Sequence, residues 1–138
     1  MPPKKNGRAN VRSRLRNKSL NILNMNVKVI SSETLDKLAR REFNPEETLM
    51  LLMTPLEVFW SWGVALMFGY NNKALALHVS GYKFKGWIVV ILNWDDTYEY
   101  YLLNPDESIK LHAIDVYFNE LQYRLDCDIE TLDNPSLN

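Results

Sequence analysis

The sequence predicts an α+β domain: an antiparallel meander of three or four strands packed, in two layers, on short N-terminal helices and a C-terminal helix. Three observations carry that expectation. Helix-start signals recur at Ser31, Asn44 and Thr54. The hydrophobic period switches to strict alternation after Asn71-Asn72. Apolar residues spaced by three and four then return from Phe118 to Leu132.

Taken in order, residues 1–19 are basic and polar, with Val11 and Leu15 as the sizeable apolar groups. Such a segment buries too little surface to offset its ordering entropy, so a disordered basic arm is expected there. Residues 20–138 are expected to form one α+β domain, as the length of 138 residues favours a single core. Ser31-Ser32-Glu33 supplies a capping hydroxyl and a first-turn acid for a helix bearing Leu35, Leu38 and Ala39 on one face. Asn44-Pro45-Glu46-Glu47 and Thr54-Pro55-Leu56-Glu57 read as two further starts, each with Pro at the first helical position. These short helices span about 33–68, the last ending near Phe68-Gly69.

Strands follow over about 74–111. Leu75, Leu77 and Val79 alternate with Ala74, Ala76 and His78. Trp87 to Leu92 is apolar on both faces, as suits a central strand. Tyr98 to Leu103 forms a third strand, and Ser108 to Leu111 returns as a fourth after the Asn104-Pro105-Asp106-Glu107 turn. Asp115 is placed to cap a final helix over about 116–131, which Asp133-Asn134-Pro135 stops.

Composition narrows the function classes. The 46% hydrophobic and 24% charged residues are the balance of a soluble globular chain rather than a disordered or fibrous one. The uncharged run Val58–Asn72 falls short of the roughly 20 residues that span a bilayer, so no membrane association is expected. The first residues lack an apolar signal region, and the lone Cys127 implies no disulfide, so a cytoplasmic location is expected.

Chemistry-bearing motifs are scarce. The chain has no Gly-rich phosphate loop, GxSxG, HExxH or CxxC. His78, His112 and Cys127 fall short of a zinc ligand set. Cys127 lies between Asp126 and Asp128, whose charge disfavours a thiolate. Asp95-Asp96 reads as a turn pair and Glu46-Glu47 as first-turn acids. No enzyme, cofactor or metal is expected. Trp60, Trp62, Trp87 and Trp94 fit a stacking platform or a packed core, and the apolar runs around Trp60 and Trp87 favour the core.

Two surfaces are candidates for binding. Residues 1–31 carry eight Lys or Arg and no acid, whereas residues 32–138 carry the other eight bases and all seventeen acids, charges of +8 and −9. Lys4, Lys5, Arg8, Arg12, Arg14, Arg16 and Lys18 therefore suit phosphate binding to DNA or RNA by counterion release. The alternatives are an arm that folds back on the acidic body and a solubilising tail. The second surface is the small-residue face of the first strand, Ala74, Ala76 and His78, together with part of the Trp87–Trp94 run. It needs a cover: the N-terminal segment, a second copy in a homodimer, or a protein partner. The Tyr82-Lys83-Phe84-Lys85 stretch alternates rings and cations on opposite faces, which suits a hairpin better than a stacking grip.

Helix, antiparallel strands, helix is also the order of the double-stranded-RNA-binding domain. That family's Lys-rich helix start has no counterpart here, where the stretch reads Leu111-His112-Ala113-Ile114-Asp115-Val116-Tyr117. "TPLEVFWSWG" (Thr54–Gly63), "NNKALALHVSG" (Asn71–Gly81), "KGW" (Lys85–Trp87), "DDTYEYYLL" (Asp95–Leu103) and "IDVYFNEL" (Ile114–Leu121) resemble small hypothetical proteins of conjugative and other mobile elements in Bacteroides-type bacteria. The resemblance covers roughly Thr54 to Ile129 and implies a bacterial mobile-element setting, with no catalytic residue to carry over. The expected function is a non-enzymatic accessory or regulatory protein. Its arm contacts nucleic acid, and its acidic body binds a protein partner or itself. A pure interaction module or small inhibitor is the alternative.

Overall fold

A computed structural model describes residues 27–131. It shows the expected α+β architecture with five strands rather than three or four. The elements are α1 (Ser32–Leu38), α2 (Pro45–Leu52), α3 (Leu56–Ser61), β1 (Leu66–Tyr70), β2 (Ala74–Ser80), β3 (Lys85–Leu92), β4 (Tyr98–Leu103), β5 (Ile109–Val116), a 3-10 turn (Phe118–Glu120) and α4 (Leu121–Ile129). The strands form one antiparallel sheet in sequence order.

The first two helix starts follow the sequence signals. The Ser31 hydroxyl accepts from the Thr34 amide and the Asn44 carbonyl oxygen Oδ1 from the Glu46 amide, with Pro45 opening α2. The third does not. Pro55, after a cis Thr54–Pro55 bond, is itself the N-cap of α3, and the Thr54 hydroxyl donates back to Met50 O at 2.9 Å.

Three boundaries depart from the sequence reading. Helix is expected up to Gly69, yet α3 ends at Ser61. Gly63 takes a positive φ of 61° and turns the chain, and Leu66–Tyr70 becomes the edge strand β1, paired with β2. At the other end β5 runs on to Val116 instead of stopping at Leu111. Asp115, the expected helix cap, lies in β5 with φ 55° at a register shift against β4. This bulge lets both Ala113 and Val116 face the same core. The final helix consequently starts at Leu121, after the 3-10 turn.

Alternation along the strands creates two cores. On the first face, Leu75, Leu77, Val79, Ile88, Val90, Tyr100 and Leu102 pack under Leu52, Phe59, Trp62, Leu121, Leu125 and Ile129 from α2, α3 and α4. On the second, Ala74, Ala76, Trp87, Val89, Ile91, Tyr101 and Leu103 pack under Ile30 and Leu35. The alanines leave the space into which the α1 segment settles, so β2 is buried on both sides although one face is made of small residues.

The start of α2 packs on the first face of β1: an added side chain at Gly69 would meet Pro45 Cγ at 2.9 Å. The outer edge, β5, is broken by the Asp115 bulge.

Candidate functional site

The small-residue face is the first place to look, since Ala74, Ala76 and His78 stand there. All three are in β2, with Ala74 and Ala76 fully buried and His78 half-buried. Their cover is the chain's own segment Val27–Leu38, one of the three covers the sequence allows. His78 packs edge-on against Trp87, and burial pushes its imidazole below the ordinary value. Its Nδ1 is buried without a hydrogen-bond partner.

This covering segment is tied down by polar contacts at both ends. Trp87 Nε1 donates to Lys28 O at 2.7 Å. Glu107, in the β4–β5 turn, accepts from the Ser31 amide at 3.1 Å, from the Ser31 hydroxyl at 2.7 Å, and from the Thr34 hydroxyl. The Thr34 and Ser31 hydrogen bonds hold the Glu107 carboxyl below its ordinary range. Tyr70 donates to Asp36 at 2.8 Å.

Past α1, the strongest concentration of titratable groups centres on Glu99 of β4. Its Oε1 meets His112 Nε2 at 2.7 Å and Tyr101 OH at 3.3 Å; its Oε2 accepts from Asn93 Nδ2 at 2.8 Å and Arg40 Nη1 at 3.2 Å. His112 stacks on the Tyr101 ring with centroids 4.2 Å apart. Burial pushes the Glu99 carboxyl up, but the hydrogen bonds from His112 and Asn93 and the Arg40 charge outweigh it and leave the carboxyl below the usual range. A carboxylate offers about four lone-pair sites, and here four groups occupy them. Glu99 thus ties Arg40 and Asn93 to Tyr101 and His112. Arg41 continues the tie, reaching Asp96 at 2.7 Å and lying over the Trp94 ring at 5.6 Å.

The Tyr82–Lys85 stretch is a structural hairpin. Phe84 is buried in the first core, while Tyr82 is exposed. The Lys83 and Phe84 amides donate to Ile129 O at 2.8 and 3.3 Å, which satisfies a carbonyl at the C-terminus of α4. Gly81 lies against that same carbonyl, where no Cβ fits. Further ties hold α4 to the first face: Trp62 Nε1 to Asp126 at 2.9 Å and Tyr100 OH to Asp128 at 2.5 Å. Burial, then the Asp128 hydrogen bond and charge, push the Tyr100 phenol up.

The tryptophans divide in a way the sequence does not anticipate. Trp62 and Trp87 are core residues, but Trp60, expected in the core, is 70% exposed and Trp94 is 78% exposed. On α3, Phe59 and Trp62 take the inward positions and turn Trp60 outward. Met50 and Tyr123, on α2 and α4, are exposed in the same way. Helical spacing from Leu52 and from Leu121 and Leu125 is the signal that locates these two.

Lys4, Lys5, Arg8, Arg12, Arg14, Arg16 and Lys18 lie outside the described residues. Among the described residues no group of three or more His, Cys, Asp or Glu is placed to hold a metal ion. No described helix is long and apolar enough to cross a membrane. The chain matches no family model, no curated protein and no solved structure.

Proposed function

We propose that this chain is a non-enzymatic accessory or regulatory protein, in which the basic N-terminal arm contacts DNA or RNA and the acidic α+β body binds a protein partner or itself. The observation that carries the reading is the charge division, +8 over residues 1–31 against −9 over residues 32–138. The packing adds support. The polar clusters around Glu99 and Glu107 are occupied in holding the fold together, which leaves the arm and the exposed side chains of the body for recognition. A bacterial mobile element is the setting that goes with this reading.

Fluorescence anisotropy with labelled duplex DNA, single-stranded DNA and RNA tests it, using the full chain and a chain starting at Leu20. The expected result is binding by the full chain that weakens steeply with salt and disappears without residues 1–19. Equal binding by both chains, or none by either, removes the arm from the function. Exposed Trp60, Trp94 and Tyr82 favour the second reading, a pure protein-interaction module with an inert arm.

A further inference from the structure

We propose that the outward face of the α2–α3–α4 layer docks residues 11–25 of the same chain, so that the body holds the basic arm until nucleic acid displaces it. The face itself is the first argument. Met50 on α2 points away from the inward pair Thr48 and Leu52, Trp60 on α3 stands beside inward Phe59, and Tyr123 on α4 opposes Leu121 and Leu125. These three large side chains are 68%, 70% and 69% exposed, on helices that share one core. Gln122 Nε2 donates to Leu52 O and Pro55 O at 2.8 Å each, which brings the start of α4 against the α2–α3 junction and makes the layer one surface.

Charge supplies the second argument. Glu46, Glu47 and Glu57 are exposed on this layer. Across residues 45–61 and 118–129 Arg124 is the single base, and it faces Glu120 at 4.0 Å. An occupant must therefore bring apolar side chains and positive charge together. Residues 11–25, VRSRLRNKSLNILNM, carry six apolar side chains, four bases and no acid. The other acid-free stretch with several bases, residues 58–94, lies within the folded body and spends most of its apolar side chains on the two cores.

Reach favours the chain's own segment over a second copy. The Trp87–Lys28 hydrogen bond roots the arm on the opposite side of the sheet. An extended chain covers about 3.3–3.6 Å per residue, so the segment from Lys28 back to Arg16 spans up to roughly 40 Å, against layer separations of about 10 Å. A tether of that length gives an effective concentration on the order of millimolar, above that of separate molecules in dilute solution. Displacement by nucleic acid rests on the function proposed above; the docking does not.

Paramagnetic line broadening in the full-length chain tests this, with a nitroxide on Ser13→Cys in a Cys127→Ser background. At low salt the amide signals of α2, α3 and α4, Met50, Trp60 and Tyr123 among them, are expected to lose intensity selectively. Salt near 1 M, where the Debye length is about 3 Å, and the pair Glu47→Lys and Glu57→Lys, at exposed positions that leave the cores intact, are each expected to restore it. Broadening that is absent at low salt, falls on the Val27–Leu38 side, or survives both charge reversals overturns the docking. Equal broadening between a spin-labelled copy and a separately isotope-labelled copy assigns the face to a second molecule and overturns it too. Added duplex DNA is expected to relieve the broadening. DNA that binds by anisotropy while the broadening persists overturns the displacement, and DNA that fails to bind while the broadening is intact overturns the nucleic-acid function alone.

Discussion

The Ser31 hydroxyl donates to Glu107 Oε1 at 2.7 Å across 76 positions of sequence, and the same serine caps α1 by accepting from the Thr34 amide. One residue thus starts a helix and moors it to the β4–β5 turn. The mooring sits beside the second core, where Ile30 and Leu35 pack with Ala74 and Ala76.

Replacing Glu107 with Ala removes the acceptor for two hydroxyls and an amide. Hydrogen bonds to a charged group contribute about 1.5–3 kcal/mol, discounted here because the site is open to solvent. A loss of roughly 1–2 kcal/mol in urea unfolding is expected. Amide exchange should accelerate in α1 well before β2–β4. Uniform acceleration would show that Glu107 is not a local mooring.

Acid should loosen the same region. Glu99 and Glu107 both titrate below the ordinary value of 4.5 in the folded chain. A depressed carboxyl stabilises the fold above its unfolded pKa, and that contribution is lost as pH falls through the folded value. The contribution of these two carboxyls should therefore be flat from neutral pH down to about 5 and decline below about 4.5, on top of any loss from buried His78, which begins nearer its ordinary value of 6.5. Glu107→Gln should show a shallower decline than the parent in a urea series from pH 7 to pH 3. Parallel curves would mean that Glu107 does not contribute to the acid response.

Gly81→Ala is expected to be among the most damaging single-methyl additions. The new Cβ would fall inside the van der Waals envelope of Ile129 Cγ2 and Ile129 O. Relief requires α4 to move off the hairpin that caps it, at a cost of about 1–3 kcal/mol. A melting temperature unchanged by the substitution would refute this close approach.

Tyr100→Phe keeps the ring in the first core and deletes the 2.5 Å hydrogen bond to Asp128. A loss of about 1–2 kcal/mol at neutral pH is expected. Equilibrium urea unfolding of the two proteins would read it, and equal stabilities would mean that this bond adds nothing to the fold.

Much of this fold is legible because local signals and burial agree. Ser31, Asn44 and Pro45 start helices as their chemistry dictates, and the alternation in Ala74–Val79 and the apolar run of β3 give strands in place. Residues 64–70 are harder to read, since "VALMFGY" continues the apolar density of α3 without a polar break. Only the left-handed turn at Gly63 separates helix from strand. The end of β5 is obscured for a related reason. Asp115 resembles a helix cap in sequence, while strand pairing with β4 places it in a bulge. Long-range ties such as Glu99 to Arg40, or Gln122 to Pro55, leave no local pattern, so neither the polar cluster nor the joining of the three helices into one layer can be found without the fold. The two-sided burial of β2 belongs to the same class: alanines look like an open face until the segment that fills it is placed.

The broken outer edge of the sheet has a consequence for how copies of this protein could meet. Five antiparallel strands with open ends would offer backbone groups to any neighbour, and growth by strand addition has no natural stop. The Asp115 bulge in β5 removes the flat edge at one end. Strand-by-strand growth through β5 is interrupted there, so a chain of copies added edge to edge cannot extend from both sides of the sheet.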